Sequence, residues 1–322
     1  MDDLSALKVL VTPRSFGQSD QKLFETLQKS VGEVIYNPYG RALTSEEVSD
    51  LLKDCDGYIA GVDAIDARAI ENANKLKVIA RYGVGVDKVD LEAAKSRGVT
   101  VTNTPRANAQ SVAELALGLT LSLLRQIPFA TNQTRNGDWP RIKGLSLEGK
   151  TVGLVGFGMI GRKFAGLLGG FGCRVLAYDL FPDVEAATDI GVELTALGTL
   201  VANADIVSLH LPFNKNTEKL IDSKLLSTMK AGSYLINTSR GGIVDENALI
   251  EALSSGHLAG AGLDVLSEEP PLADHPLLKM DKVLVTPHSG SHSDGATNAM
   301  GWTALEDCLA VLSGREPKFK VV

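Results

Sequence analysis

The stretch Val152-Gly153-Leu154-Val155-Gly156-Phe157-Gly158-Met159-Ile160-Gly161 decides the fold. An apolar run enters a glycine-rich turn, and a helical pattern over residues 160–171 leaves it. That order is strand, turn, helix, the first half of a parallel-sheet unit. Gly156 permits the tight turn, and Gly158 lets a pyrophosphate approach the backbone. Gly161 lets the helix pack close to its strand. Met159 and Ile160 open the helix, whose free N–H groups and positive end suit phosphate. A second strand, residues 174–178, ends at Asp179, which lies 23 residues after Gly156. This is close to the ~20-residue spacing of a ribose-binding acid. Asp179 would accept the ribose hydroxyls and repel a 2′-phosphate. Leu180, Phe181 and Pro182 follow it with no arginine, so NAD is favoured over NADP.

Outward from that turn the alternation continues. Strands are expected at 206–210, 234–238, 261–265 and 282–286, with helices at 196–202, 223–229 and 246–254. A closing helix covers 293–312, and 318–322 reads as a last strand. Upstream, strands at 8–12, 34–36, 57–60, 77–81 and 100–102 alternate with helices at 20–30, 45–53, 64–72 and 91–96. Near-continuous apolar strands between helices mean parallel sheets covered on both faces. Residues 107–125 form one long apolar helix. Residues 128–147, with Trp139, Arg141 and Lys143, read as an irregular polar arm. No repeat is visible.

The composition fits this class. The chain has 322 residues, enough for about two domains. Its 39 acidic and 32 basic residues leave a net charge of −7. That balance argues against nucleic acid or an anionic membrane as partner. Cys55, Cys173 and Cys308 make no disulfide framework and no metal knuckle, which suits a reducing compartment. Met1-Asp2-Asp3 opens without a basic n-region, and no apolar run reaches the ~18 residues of a membrane span. A cytoplasmic protein is expected.

Five histidines are candidate acid–base groups. His257 and His275 lie in polar turns and read as surface residues. His210 and His288 end apolar strands, where open α/β sheets place ligands. His292 follows His288 by four, but no further ligand cluster supports a metal site. Arg240 stands at a strand end beside Gly241-Gly242, where a guanidinium could hold a carboxylate. Glu268 and Glu269 precede Pro270-Pro271. Gly83-Val84-Gly85-Val86-Asp87 reads equally as a strand-ending turn or as a small anion-binding loop. Residue type alone does not choose between His210 and His288.

Four ordered blocks settle that choice by resemblance. They are the 156–161 turn with Asp179, then Asn237-Thr238-Ser239-Arg240-Gly241-Gly242-Ile243-Val244-Asp245. Next come Gly262-Leu263-Asp264-Val265 through Glu269-Pro270, and Thr286-Pro287-His288-Ser289-Gly290. Together the chain resembles the D-isomer specific 2-hydroxyacid dehydrogenases along its whole length. The resemblance implies an NAD-dependent enzyme moving a hydride between nicotinamide and C2 of a 2-hydroxy acid. It makes His288 the general acid/base, with Glu269 paired to it and raising its pKa. Arg240 would bind the substrate carboxylate and C2 oxygen. Asp264 and the Thr238 backbone would hold the nicotinamide carboxamide, and the His210 to Pro212 loop would lie against the cofactor. Val84 and Gly85 would receive the substrate carboxylate, and Arg81 stands next to them as a further cation.

The resemblance also implies a fold of two doubly wound parallel-sheet domains with a cleft between. A flavodoxin-like substrate domain would span 1–103, completed by 290–322. A Rossmann NAD domain would span 104–289. A homodimer through the NAD domain is implied, by way of the 107–125 helix and the arm around Trp139. Within the family the blocks at 81–87, 103–105 and 137–139 look most like 3-phosphoglycerate dehydrogenases. Those enzymes carry arginine and serine after the third strand, where this chain has Ala60-Gly61. Ending at Val322, the chain is expected to lack a C-terminal regulatory domain. Arg81, Arg141 and Lys143 could still meet an anionic tail. Glyoxylate or hydroxypyruvate reduction is the alternative. Formate dehydrogenases differ by a glutamine where Glu269 stands. An NAD-sensing corepressor-like module is the alternative of another class.

Overall fold

The computed structural model describes residues 4–322. They divide into two compact units, residues 4–108 with Ser291–Val322, and Ala109–Gly290.

The first unit runs β1 (Lys8–Val11), α1 (Lys22–Ser30), β2 (Glu33–Tyr36), α2 (Ser45–Leu52), β3 (Gly57–Ala60), α3 (Ala67–Asn72), β4 (Val78–Arg81), α4 (Leu91–Ser96) and β5 (Thr100–Thr102). All neighbours in its sheet are parallel, in the order β2-β1-β3-β4-β5. This is the flavodoxin-like order, with its switch point between β1 and β3. Strands β3 and β4 are buried at every residue, because helices cover both faces. Short polar residues start the helices. Thr44 caps α2 in a capping box with Glu47, and Asp66 and Asp90 cap α3 and α4. Each such cap contributes about 1 kcal/mol. The closing helix Asp294–Leu312 packs on β3 and β4. The expected last strand at 318–322 is not a strand element. Asp307 accepts the Lys318 and Phe319 N–H groups and holds the tail against the edge of β5, where Thr102 and Lys320 form one antiparallel bridge.

The second unit continues with α5 (Ala109–Leu124), α6 (Ile127–Arg135), β6 (Thr151–Val155), α7 (Met159–Leu168), β7 (Arg174–Tyr178), α8 (Val184–Asp189) and β8 (Glu193–Leu194). It then adds α9 (Leu197–Asn203), β9 (Ile206–Leu209), α10 (Ser223–Thr228), β10 (Ser233–Asn237), α11 (Glu246–Ser254), β11 (Leu258–Leu263) and β12 (Val283–Val285). The sheet is parallel throughout, in the order β12-β11-β10-β9-β6-β7-β8. Strand order reverses between β6 and β9, which places a crevice at their carboxyl ends. A Cβ on Gly153 would stand 2.4 Å from Leu200, so glycine in mid-strand lets α9 pack close on β6.

Two sequence expectations change here. Residues 128–147 are not wholly irregular, since α6 occupies 127–135 with Pro128 in its first turn. Strand β11 starts three residues earlier than its apolar pattern suggests. Residues 183–194, where the sequence pattern assigned no element, form α8 and the edge strand β8. No single helix is long and apolar enough to cross a membrane, and α5 is built into the core of its unit.

Candidate active site

The carboxyl edge of the seven-stranded sheet gathers the sequence-expected groups of the second unit. At the end of β6 the glycine turn is shaped by close approach. Gly156 has φ +101°, and a Cβ there would meet His210 O at 2.4 Å. A Cβ on Gly161 would meet Gly156 O at 2.3 Å. Gly158 instead faces open space, with nothing within 4 Å of a Cβ. Among the described residues the N–H groups of Gly158, Met159 and Ile160 find no acceptor, as at any helix start. Asp179, at the end of β7, accepts Phe157 N–H at 2.7 Å and Phe181 N–H at 2.9 Å. These bonds fix its carboxylate beside the turn.

Two buried polar atoms at the same edge lack a hydrogen-bond partner. They are Nδ1 of His210, after β9, and Oγ1 of Thr238, after β10. His210 Nε2 lies 3.0 Å from Ser208 Oγ, and burial pushes its pKa down to about 3. The ring is therefore neutral at physiological pH. Pro212 follows in the loop, where its carbonyl accepts the Thr217 hydroxyl at 2.7 Å. A glycine cradle, open helix amides, a fixed carboxylate and orphaned polar atoms form a donor set that fits a dinucleotide.

The expected acid–base and carboxylate-binding groups stand beyond the ends of β10, β11 and β12. Asn237 turns the chain after β10, because its side chain accepts Ser239 N–H at 3.0 Å and donates to Arg240 O at 2.9 Å. Arg240 follows, with Nη1 on Ser239 O at 2.8 Å. A Cβ on Gly241 would overlap the Leu266 backbone, so glycine there lets the 264–269 loop come up against this turn. Glu269 accepts Leu266 N–H at 3.1 Å through one oxygen. The other oxygen lies 2.7 Å from His288 Nδ1. Burial opposes ionisation of Glu269. The hydrogen bond and charge of His288, helped by the charge of Arg240, outweigh it and hold the carboxyl below its ordinary pKa. Thus Arg240, Glu269 and His288 are brought into one cluster.

Asp264, the expected carboxamide ligand, follows β11. It is only 2% exposed. Its oxygens accept Thr286 Oγ1 at 2.5 Å, Ser289 N–H at 2.8 Å and Gly290 N–H at 2.8 Å. It holds the turn that carries His288. Arg162, which no sequence argument singled out, donates to Phe157 O at 3.0 Å and pairs with Asp183 at 2.8 Å. Its place directly after Gly161 was the available signal. Arg141 and Lys143 are exposed on the segment after α6.

Val84, Gly85 and Arg81 belong to the first unit. Among the described residues the N–H groups of Val84 and Gly85 donate to no acceptor. Arg81 is 4% exposed and donates to Ala60 O at 2.5 Å and Gly85 O at 3.1 Å. These bonds make its guanidinium a buried brace for the 82–87 loop. His257 and His275 are half-buried rather than on the surface, held by Leu226 O and Glu246 respectively. Among the described residues no group of three His, Cys, Asp or Glu is placed to hold a metal.

Comparison with known proteins places this arrangement. Residues 117–290 match the model of the D-isomer specific 2-hydroxyacid dehydrogenase NAD binding domain. The D-3-phosphoglycerate dehydrogenase of Methanocaldococcus jannaschii is 40% identical over 312 residues, which cover 96% of this chain and 58% of that one. The glyoxylate reductase of Thermococcus litoralis is 41% identical over 276 residues, 83% of each chain. The crystal structure of TT0316 protein from Thermus thermophilus superposes with a TM-score of 0.88 at 39% identity, covering 98% of this chain and all of that one. The chain belongs to the D-isomer specific 2-hydroxyacid dehydrogenase family. It spans little more than half the length of the phosphoglycerate dehydrogenase it matches.

Proposed function

We propose that this chain is an NAD-dependent oxidoreductase that interconverts a 2-hydroxy acid and the corresponding 2-oxo acid. The observation that carries the reading is the 2.7 Å pair of His288 Nδ1 and Glu269, on the sheet edge that also bears the glycine turn. NAD, when bound, supplies the acceptor or donor for the hydride at C2. The amides of 158–160 hold its pyrophosphate, and Asp179 accepts its ribose hydroxyls. Asp179 also disfavours NADP by charge.

Glu269 accepts the Nδ1 proton and orients the imidazole, which leaves Nε2 to carry the proton that moves. In oxidation Nε2 takes the substrate hydroxyl proton. In reduction it returns a proton to the C2 oxygen. Arg240 holds the substrate carboxylate and the negative charge that gathers on that oxygen, a contribution commonly worth about 2.7–4 kcal/mol per fixed donor. The phosphoglycerate dehydrogenase and the glyoxylate reductase above share this C2 chemistry and differ in the substrate tail, so 3-phosphoglycerate, glycerate and glycolate are the candidate hydroxy acids.

The test is NADH-dependent reduction of glyoxylate, hydroxypyruvate and phosphohydroxypyruvate, with His288→Ala alongside. Turnover with at least one acid, lost by about 10²–10⁴-fold in the variant while NADH still binds, is expected. Tight NADH binding with no turnover on any acid would overturn the enzyme reading in favour of an NAD-sensing module.

We infer further that the chain works as a homodimer through the second unit. Helix α6 buries none of its residues, and Ile127, Phe129, Trp139 and Leu145 stay exposed around it. Apolar surface of this kind marks a protein contact. A monomeric mass by light scattering would refute it. Three free cysteines support a reducing, cytoplasmic setting.

A further inference from the structure

The connection from β7 to α8 begins at Asp179, yet its own side chains do not fix its course. Leu180, Phe181 and Pro182 all lie exposed, Phe181 at 89%. Among the described residues, no N–H or C=O of 180–182 bonds another backbone group. Apolar burial and backbone pairing, the usual restraints on a loop, are therefore both missing. The segment is held at its two ends, by the carboxylates of Asp179 and Asp183.

Both ends lead back to Phe157 in the glycine turn. The Phe157 ring is buried in the core of the second unit, which fixes the backbone around it. Its N–H donates to Asp179 Oδ2 at 2.7 Å, and Asp179 Oδ1 accepts the Phe181 N–H at 2.9 Å. Its carbonyl accepts Arg162 Nε at 3.0 Å. The Arg162 guanidinium lies 5.6 Å from the centroid of the Phe157 ring, and its Nη1 reaches Asp183 Oδ2 at 2.8 Å. Asp183 Oδ1 accepts the Ala186 N–H at 3.1 Å and so caps α8. A closed circuit thus runs from Phe157 through Asp179, Phe181, Asp183 and Arg162 back to Phe157. Arginine suits the last link, because one rigid fork meets two acceptors at once.

The Arg162 and Asp183 side chains are 34% and 42% exposed, and an ion pair so open to water adds little to global stability. Its effect is local. Each Asp179 oxygen accepts one backbone N–H and keeps a further lone pair for a ribose hydroxyl. How well the hydroxyls are met depends on where that carboxylate points, and the 180–183 segment is one of its two anchors. A segment left loose must be ordered as the cofactor binds, and that ordering weakens binding.

We infer that Arg162 and Asp183 are positioning residues for the adenosine half of the cofactor, and that they act through Asp179. This rests on the NAD reading above and deepens it.

The experiment measures Kd for NADH and for ADP-ribose by titration calorimetry, together with kcat at saturating NADH and Tm. ADP-ribose carries the adenosine half without the nicotinamide. The variants are Arg162→Gln and Asp183→Asn, the second of which keeps an oxygen for the Ala186 N–H. Each should raise both Kd values by the same factor, about three- to tenfold, the scale of ordering one or two side chains at a binding surface. kcat and Tm should stay at the wild-type values. In an Asp179→Ala background, adding Arg162→Gln should change neither Kd, because the residue it acts through is gone. Unchanged Kd values in both single variants overturn the inference and leave the role of Asp179 intact. The same loss in the Asp179→Ala background also overturns it, since Arg162 would then act by another route. So does a fall in Tm and kcat together, which would mark a general structural role. If Asp179→Ala itself leaves both Kd values unchanged, the ribose-binding role of Asp179 fails, and this inference with it.

Discussion

Asp264 and Ser289 are joined by a 2.8 Å bond from the Ser289 N–H to the Asp264 carboxylate, just beyond His288. The same carboxylate takes Gly290 N–H and the Thr286 hydroxyl, while Asp264 O accepts His288 N–H at 2.9 Å. His288 has φ +50°, a conformation that non-glycine residues adopt only when their surroundings impose it. Asp264, at the end of β11, imposes it. The position of the imidazole is thus set from beneath by a buried acid and from the side by Glu269.

Replacing Asp264 by Asn puts an NH₂ where an acceptor is needed and orphans at least one buried donor. A stability loss of about 1–3 kcal/mol is expected, with a fall in kcat as His288 loses its fixed turn. Thermal unfolding and NADH-dependent turnover measure the two effects. Unchanged turnover in a destabilised variant would show that the turn keeps its shape without Asp264.

The three glycines of the cofactor turn should separate in their effects. Gly161→Ala forces a Cβ to 2.3 Å from Gly156 O, and backbone there has no room to give. A loss of roughly 1–3 kcal/mol with weakened NADH binding is expected. Gly156→Ala should do the same, with the added strain of φ +101°. Gly158→Ala meets nothing and has an ordinary φ of −74°. Its Tm should be unchanged while KM for NADH rises, because the methyl stands where the pyrophosphate would approach. A Gly158→Ala enzyme with normal KM would remove the phosphate role of the turn.

Much of this fold was legible because its signals are local. Strand runs are apolar, caps are Asp, Ser or Thr, and the turn has glycines in a mechanistic order. Helix α6 was not legible, since it buries no residue and so carries no periodic stripe. The tail at 318–322 looked like a strand because alternation does not reveal whether a partner offers more than one bridge. In the site, Glu269 and His288 were found by resemblance, and the cluster they form with Arg240 is a product of three strand ends meeting. The burial of Arg81 and Asp264 was not legible for one reason. Partners such as Ala60 O for Arg81 and the Thr286 hydroxyl for Asp264 lie more than twenty residues away, and nothing in the residue type announces them.

Glu269→Gln keeps an acceptor for Leu266 N–H but removes the charge that the cluster is built around. The loss in kcat should be about tenfold or more, smaller than that of His288→Ala, since the imidazole stays but loses its counter-charge. Glu269 is held below its ordinary pKa in the folded chain, so its share of stability is present above that ordinary value and lost as pH falls through the lowered one. Tm should therefore differ between wild type and Glu269→Gln at neutral pH and converge in acid. Full activity in Glu269→Gln would dismiss the pair as a catalytic element.

His210 gives an acid sensitivity whose sign is fixed by its burial. Its folded pKa of about 3 lies below the ordinary histidine value of 6.5, so the unfolded chain binds the proton first. Above pH 6.5 neither state is protonated there, and stability is unaffected by this group. Between the two values, each pH unit downward costs up to about 1.4 kcal/mol, because folding must then expel the proton from the ring. The wild-type Tm should thus fall steeply from pH 6.5 toward 4. His210→Asn carries no titratable group, and its side chain can still meet Ser208. It should begin from a lower Tm at pH 7.5, having lost ring packing on Phe164, whose centroid lies 5.3 Å from that of the imidazole. Its Tm should then decline more shallowly in acid, so that the two curves approach each other. Differential scanning calorimetry at half-unit steps between pH 4 and 7.5 reads the slopes. Parallel curves over that range would mean that His210 is protonated in the folded chain as readily as in the unfolded one, and that water reaches the orphaned Nδ1.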